Sequence, residues 1–70
     1  MIIHIGGTSQ KLYAADFEEA VKVVRTHYEE TRQVCAYYLN DDNGRRLGRF
    51  SNPRFWKNSN TPEWEAVNSF

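Results

Sequence analysis

The chain lacks most of the devices that small proteins use to stabilise a fold. Its 70 residues contain one cysteine, Cys35, so no internal disulfide can form. A domain of this size buries only about 60% of the surface that its unfolded chain exposes, and disulfides, metals or oligomerisation often supply the missing stability. A single cysteine is typical of proteins from a reducing compartment, so we expect a cytoplasmic protein.

Long apolar runs and targeting signals are also lacking. No stretch approaches the roughly 18 apolar residues of a membrane-spanning helix, and the first residues lack the charged and then apolar pattern of a signal peptide. We therefore expect no membrane span and no export. The length predicts a single domain over residues 1–70, with 58–70 as a loosely packed tail.

The residue types that usually carry chemistry are few and scattered. His4, His27 and Cys35 fall on different predicted elements without the paired spacing of metal ligands. Cys35 lies in a predicted strand on the core face, where cysteine behaves as a small hydrophobic residue. His27 is expected on the flank of a helix and His4 on the outer face of a sheet. The sequence therefore predicts no catalytic residue, no metal, no cofactor and no enzymatic activity.

One segment has strong helical periodicity. An apolar stripe with helical spacing is formed by Phe17, Ala20, Val21, Val24 and Tyr28. Asp16 precedes the stripe and Glu19 follows three residues later, which is the pattern of a capping box. We predict a helix over about 17–30.

The flanking segments have the composition of strands. Residues 1–5 and 33–40 are rich in β-branched and aromatic residues, while 10–14 alternate in polarity and predict a further short strand. The run from Asn40 to Gly44 is a turn signal, and Asn43-Gly44 favours a two-residue type I′ hairpin. That hairpin would place Asp42 opposite Arg45, Asp41 opposite Arg46, Tyr38 opposite Arg49 and Tyr37 opposite Phe50.

The C-terminal part predicts less regular structure. Thr61-Pro62-Glu63 resembles a helix start, with threonine as the cap and proline in the first turn, and any helix over 61–68 would be short. The elements together predict an α+β fold. One helix packs on an antiparallel sheet of three to four strands, in the order β(β)αββ, followed by an irregular or short-helical tail.

Positive charge is concentrated in one segment. Residues 45–57 hold four arginines and one lysine without an acidic residue, and aromatic rings are interleaved with them, although the net charge of the whole chain is zero. We predict that part of this segment and one neighbouring tyrosine bind a partner. These candidate contact residues are Tyr38, Arg45, Arg46, Arg49, Arg54, Phe55, Trp56 and Lys57.

Three interpretations of this pattern stay open. Arginine, tryptophan and tyrosine dominate the energetics of protein interfaces, which favours a protein partner. Cations and stacking rings also suit single-stranded nucleic acid, although the zero net charge argues against it, and an acidic helix on the same side would repel phosphates. The third interpretation is a solvated basic face over buried rings, with arginine stems packed on them.

In size and element order, the layout is similar to very small phage-encoded proteins that switch off host machinery, such as anti-CRISPR proteins and inhibitors of host RNA polymerase. The similarity extends over most of the chain and is carried by no diagnostic residue. It implies a non-enzymatic inhibitor or modulator that covers a surface of a larger protein or complex, in the host cytoplasm if a phage encodes it. An unpaired edge strand on so small a sheet can pair with the same strand of a second copy. A homodimer is therefore a further expectation.

Overall fold

The computed structural model describes residues 1–58 and 61–67, which form one helix against one antiparallel sheet. In chain order the elements are β1 (Ile2–Ile5), β2 (Lys11–Tyr13), α1 (Phe17–Thr31), β3 (Tyr37–Asn40), β4 (Arg46–Phe50), a 3₁₀ turn (Pro53–Phe55) and β5 (Trp64–Ala66). The strand order across the sheet is β2-β1-β3-β4-β5. The α+β class is confirmed, but these residues form five strands where three or four were predicted. The parts of the predicted tail at 59–60 and 68–70 lie outside the described residues.

The helix begins and ends where local chemistry stops its propagation. The Asp16 carboxylate accepts a hydrogen bond from the Glu19 amide (2.8 Å), and the Glu19 carboxylate accepts one from the Ala15 amide (3.2 Å). At the other end, Arg32 adopts the left-handed conformation (φ 55°) and its amide donates to the Tyr28 carbonyl. These two caps confirm the predicted helix and extend it by one residue.

The core lies between α1 and one face of the sheet. The sheet contributes five side chains that are at most 1% exposed, namely Ile3, Ile5, Tyr37, Leu39 and Phe50. From the helix, Ala20 and Val24 pack against them, together with His27, which is only 9% exposed. The prediction of a helix-flank position for His27 is therefore wrong. Its Nδ1 lies 2.8 Å from the Tyr37 hydroxyl, and this hydrogen bond allows the imidazole to be buried.

The β3–β4 hairpin has the predicted register far from the turn and a different one near it. Tyr37 faces Phe50 and Tyr38 faces Arg49, as predicted. Next to the turn, however, Asn40 faces Arg46, and the Asp41 amide donates to the Arg45 carbonyl. The predicted pairs Asp42–Arg45 and Asp41–Arg46 are therefore wrong.

The reason for this difference is the loop length. Gly44 has a positive φ of 84°, and Asn43 is not among the described residues with positive φ, so the type I′ geometry does not form. A three-residue loop forms instead, stabilised by the Asp41 carboxylate, which accepts hydrogen bonds from the amides of Asn43 and Arg45. A bulge at Leu47 then restores the predicted register further along the strands.

The segment after the 3₁₀ turn is a strand and not a helix. Trp64–Ala66 pairs with β4, and the Ser51 amide donates to the Glu63 carbonyl just before it. The Trp64 ring packs against Phe50, with ring centroids 5.0 Å apart, and lies over Gly48, which has no side chain to block it. An eight-residue helix is only marginally stable in isolation, whereas the exposed edge of β4 offers both hydrogen bonds and a place for this ring.

Candidate functional site

The sheet face turned away from α1, here called the open face, carries polar and aromatic side chains. The antiparallel registers align five of them in one row across all five strands, in the order Lys11, His4, Tyr38, Arg49 and Glu65. The next row contains Tyr13, Ile2, Asn40 and Arg46. The predicted position of His4 on the outer face is confirmed, and its Nε2 accepts a hydrogen bond from the Asn40 amide group (3.2 Å).

Tyr38 is the centre of a hydrogen-bonded cluster on the open face. The guanidinium carbon of Arg46 lies 4.7 Å from the centroid of the Tyr38 ring, and the Arg46 Nε donates to the Asn40 side-chain oxygen (2.7 Å). Arg49 is the cross-strand partner of Tyr38, and its Nε donates to a Glu65 carboxylate oxygen (2.9 Å). This bond raises the pKa of Arg49 above its usual value, and a hydrogen bond to Tyr38 acts in the same direction. Three candidate contact residues therefore meet in one ordered group.

Gly6 allows the Tyr38 ring to lie along the sheet. Its amide donates to the Ala36 carbonyl (2.8 Å), which places it next to β3. A Cβ at this position would be 3.4 Å from the Tyr38 ring and 2.9 Å from the Ala36 oxygen. The sequence pattern indicates only a turn at Gly6-Gly7, and the close approach of the ring follows from the strand pairing.

A shallow cavity of about 400 Å³ adjoins the cluster at the end of β4. Its walls include Arg49, Phe55 and Lys57 among the candidate contact residues, and two glutamates, Glu63 and Glu65. Both signs of charge are therefore present in it. The cavity continues the open face and has an aromatic rim, since the Phe55 ring is 71% exposed.

The other candidate contact residues are dispersed. Arg45 is exposed at the hairpin loop, and Arg54 is exposed on the 3₁₀ turn. Trp56 is only 8% exposed, so its expected outward position is wrong. Its ring packs edge-on against Tyr28 (5.3 Å between centroids), and its Nε1 donates to the Ser51 carbonyl (2.7 Å). The core is small, and this large ring fills one end of it.

Six residues of the open face were not included in the predicted site, namely Ile2, His4, Lys11, Tyr13, Asn40 and Glu65. Lys11 and Tyr13 project from β2, His4 projects from β1, and the Tyr13 ring is 67% exposed. The signal that could have found the residues on β1 and β2 is the period-two alternation of these strands. It places Lys11, Tyr13 and His4 on the face of the sheet that points away from the buried Ile3 and Ile5. Joining them to Tyr38 requires the pairing of β1 with β3, which no local pattern encodes.

Charge of opposite sign is separated between the two layers. The helix carries four glutamates against one lysine and one arginine, and its buried residues Ala20, Val24 and His27 face the sheet. The open face carries Lys11, Arg46 and Arg49 against Glu65. The helix therefore does not place its acidic side chains beside the basic cluster.

A half-buried thiol, Cys35, lies next to two buried polar groups of the core, the Tyr37 phenol and the His27 imidazole. Tyr37 forms hydrogen bonds with both Cys35 and His27. Burial raises the pKa of the Cys35 thiol, and the hydrogen bond from Tyr37 offsets part of this effect. A raised pKa lowers the fraction of reactive thiolate, so the geometry does not provide an activated nucleophile at Cys35.

The stability of the protein is expected to fall at alkaline pH because of Tyr37. Burial, followed by the proximity of Cys35, raises the pKa of the Tyr37 phenol above its usual value. As the pH rises, the phenol therefore loses its proton in the unfolded chain before it does so in the folded protein. The contribution of Tyr37 to the free energy of unfolding is complete below about pH 10 and is lost as the pH rises further. Urea unfolding at a series of pH values would show a midpoint that declines above this pH. The Tyr37→Phe variant should be less stable near neutrality, and its midpoint should change less with alkaline pH. An equally steep decline in the variant would contradict the assignment.

Within residues 1–58 and 61–67, no three side chains of His, Cys, Asp or Glu are grouped closely enough to hold a metal ion. The helix in this part of the chain is neither long enough nor apolar enough to cross a membrane. In comparisons with models of protein families, with curated proteins and with solved structures, the chain matches none of them.

Proposed function

We propose that the protein is a non-enzymatic binding domain that covers a surface of a larger protein or complex with the open face of its sheet. The observation that supports this proposal best is the ordered cluster of Arg46, Tyr38 and Arg49 at the centre of that face. Arginine and tyrosine are the residue types most enriched among interface residues with large energetic contributions.

Both arginines of the cluster are held in place by neighbouring side chains. Arg46 is held by Asn40, and Arg49 is held by Glu65. Side chains that are already fixed lose less conformational entropy when a partner binds. The basic character of the face suits a partner surface that combines acidic side chains with apolar or planar groups. The resemblance in size and element order to small phage-encoded inhibitors favours a role in which binding itself blocks the partner.

The proposal is tested with two substitutions on the open face. Arg46→Glu and Tyr38→Ala should each weaken binding to the partner by about 30-fold or more, because central interface residues contribute about 2 kcal/mol or more. The control is Arg25→Glu, which makes the same charge change on the helix. Arg49 is left unchanged because its ion pair with Glu65 joins β4 to β5, and Trp56 because it is in the core.

The partner is first captured from a lysate with the immobilised protein, and its affinity for each variant is then measured by calorimetry. Circular dichroism checks that each variant is folded. The expected result is a protein retained by the wild type and by Arg25→Glu, and lost with both open-face variants. Retention of the same proteins by all four would exclude the open face as the binding surface.

Single-stranded nucleic acid is a second candidate, favoured by the position of the Tyr13 and Tyr38 rings on one face of an antiparallel sheet. Exposed rings on such a face can stack with unpaired bases, while Lys11 and Arg46 would contact phosphates. The acidic helix is on the opposite side of the sheet, so it would not repel a strand lying there. Fluorescence anisotropy with labelled oligonucleotides at low and moderate salt separates the two candidates, since binding that weakens steeply with salt indicates nucleic acid.

A further inference from the structure

Within the part of the chain that the structure describes, β2 is an edge strand of the sheet and pairs with β1. Met1 and Ala14 exchange two backbone hydrogen bonds (3.0 and 2.8 Å), and the Ile5 amide donates to the Gln10 carbonyl. In an antiparallel ladder such pairs alternate with residues whose backbone groups point the other way. The N–H and C=O groups of Lys11 and Tyr13 therefore point away from β1, at the edge of the sheet.

A groove lies between this edge and the helix. It has a volume of about 290 Å³, and its walls include the side chains of Leu12, Val23 and Thr26. Lys22 and Glu30 also line it. These two charged residues are eight positions apart on α1, which is about 12 Å along the helix axis, with Thr26 midway between them.

We propose that this edge pairs antiparallel with the same edge of a second copy of the chain, around a two-fold axis at Leu12. In that register, Lys11 exchanges two backbone hydrogen bonds with the partner's Tyr13, and Tyr13 does the same with the partner's Lys11. Leu12 then faces the partner's Leu12 in the non-hydrogen-bonded position, where side chains approach most closely. The edge is self-complementary, as a two-fold interface requires.

Two charged side chains of α1, Lys22 and Glu30, fit the same two-fold symmetry. A two-fold axis at Leu12 places the two α1 helices antiparallel across the joined grooves. Lys22 then faces the partner's Glu30, and Glu30 faces the partner's Lys22. Within one chain these two residues are too far apart to pair with each other, and Lys22 lies 3.9 Å from Glu18 instead. The charge pattern therefore specifies a second copy, which an arbitrary extended peptide would not match.

This dimer does not depend on the proposed binding function. Its contacts use backbone groups of β2 and side chains on the helix side, whereas the binding proposal uses Tyr38, Arg46 and Arg49. Dimerisation would join the two sheets into one, with both open faces on the same side. A substitution that abolishes dimerisation is therefore expected to leave partner binding in place, and one that abolishes partner binding is expected to leave the dimer in place.

The experiment is a charge exchange read by sedimentation equilibrium. Lys22→Glu places acidic residues at both positions, and Glu30→Lys places basic residues at both. Each variant alone should dissociate with a constant raised by about tenfold, because both ion pairs change from attraction to repulsion. An equimolar mixture should recover the wild-type constant, since a heterodimer restores both pairs. The double variant Lys22→Glu/Glu30→Lys should also behave as wild type.

A backbone substitution provides the second measurement. Lys11→Pro removes an outward N–H group without removing a hydrogen bond to β1, so the chain should fold and remain a monomer. Thermal unfolding at low concentration checks the folding of each variant. A wild type that remains at the monomer mass of 8.2 kDa up to near-millimolar concentration would overturn the proposal. The proposal would also be overturned if either single charge variant had the dissociation constant of the wild type, or if the mixture did not recover that constant. A Lys11→Pro protein that dimerised as tightly as the wild type would overturn it too.

Discussion

The Gly48→Ala variant is expected to lose about 3 kcal/mol of unfolding free energy, at the upper end of the usual range for adding volume to a packed site. A Cβ at this position would lie within 2.6 Å of two atoms of the Trp64 ring and would also clash with the Glu65 carbonyl. The carbonyl belongs to β5, so a rotation of the ring alone cannot relieve the contact. We expect β5 to separate from β4.

Urea unfolding measures the loss, and amide hydrogen exchange over Trp64–Ala66 locates it. Gly7→Ala is the matched control, because no atom lies within 4 Å of a Cβ built there. Gly7 has a φ of 78°, so this control should lose only about 1 kcal/mol from backbone strain. Equal losses in the two variants, or unchanged exchange in β5, would contradict the packing described for Gly48.

Trp56→Ala is expected to cost about 3–5 kcal/mol, as is typical when a buried aromatic ring is removed. The ring packs on Tyr28, and its Nε1 donates to the Ser51 carbonyl, so both an apolar contact and a hydrogen bond would be lost. Stabilities of roughly 0.05–0.15 kcal/mol per residue give a chain of this length little reserve. The variant should be largely unfolded at room temperature.

The neighbouring residue provides the control for this prediction. Phe55→Ala removes a ring that is 71% exposed, so the unfolding free energy should change by about 0.5 kcal/mol or less. Near-ultraviolet circular dichroism and thermal unfolding compare the two variants. A folded Trp56→Ala protein with a melting temperature close to that of Phe55→Ala would show that the core does not depend on this indole.

The parts of the fold that were predictable from the sequence are those set by local chemistry. The helix follows from the spacing of Phe17, Ala20 and Val24 and from the reciprocal cap of Asp16 and Glu19. The β3–β4 register away from the turn follows from alternation. Near the turn, two loop lengths compete, and the Asp41 carboxylate stabilises the longer one by accepting two amide hydrogen bonds.

The fifth strand was not predictable from local pattern. Thr61-Pro62 is a common helix start, and nothing in the neighbouring residues reveals that this segment pairs with β4, where a glycine lies under the Trp64 ring. The same limit applies to the buried His27. Its position depends on the Tyr37 hydroxyl ten residues away, which satisfies its Nδ1.

The candidate site was predictable only in part, because residue type does not determine direction. Tyr38, Arg46 and Arg49 meet because β3 and β4 are adjacent and their outward positions align. Phe55 and Trp56 are consecutive aromatic residues, yet one is exposed and the other is in the core. The 3₁₀ turn at Pro53–Phe55 decides which ring is buried, and composition gives no indication of it.

The separation of charge between α1 and the open face makes the net charge of zero a poor guide to how the molecule behaves near a charged surface. Among the described residues, positive charge is in excess on the open face and negative charge is in excess on α1. An anionic object would orient the protein before any contact forms, so that the sheet arrives first and the helix points to solvent.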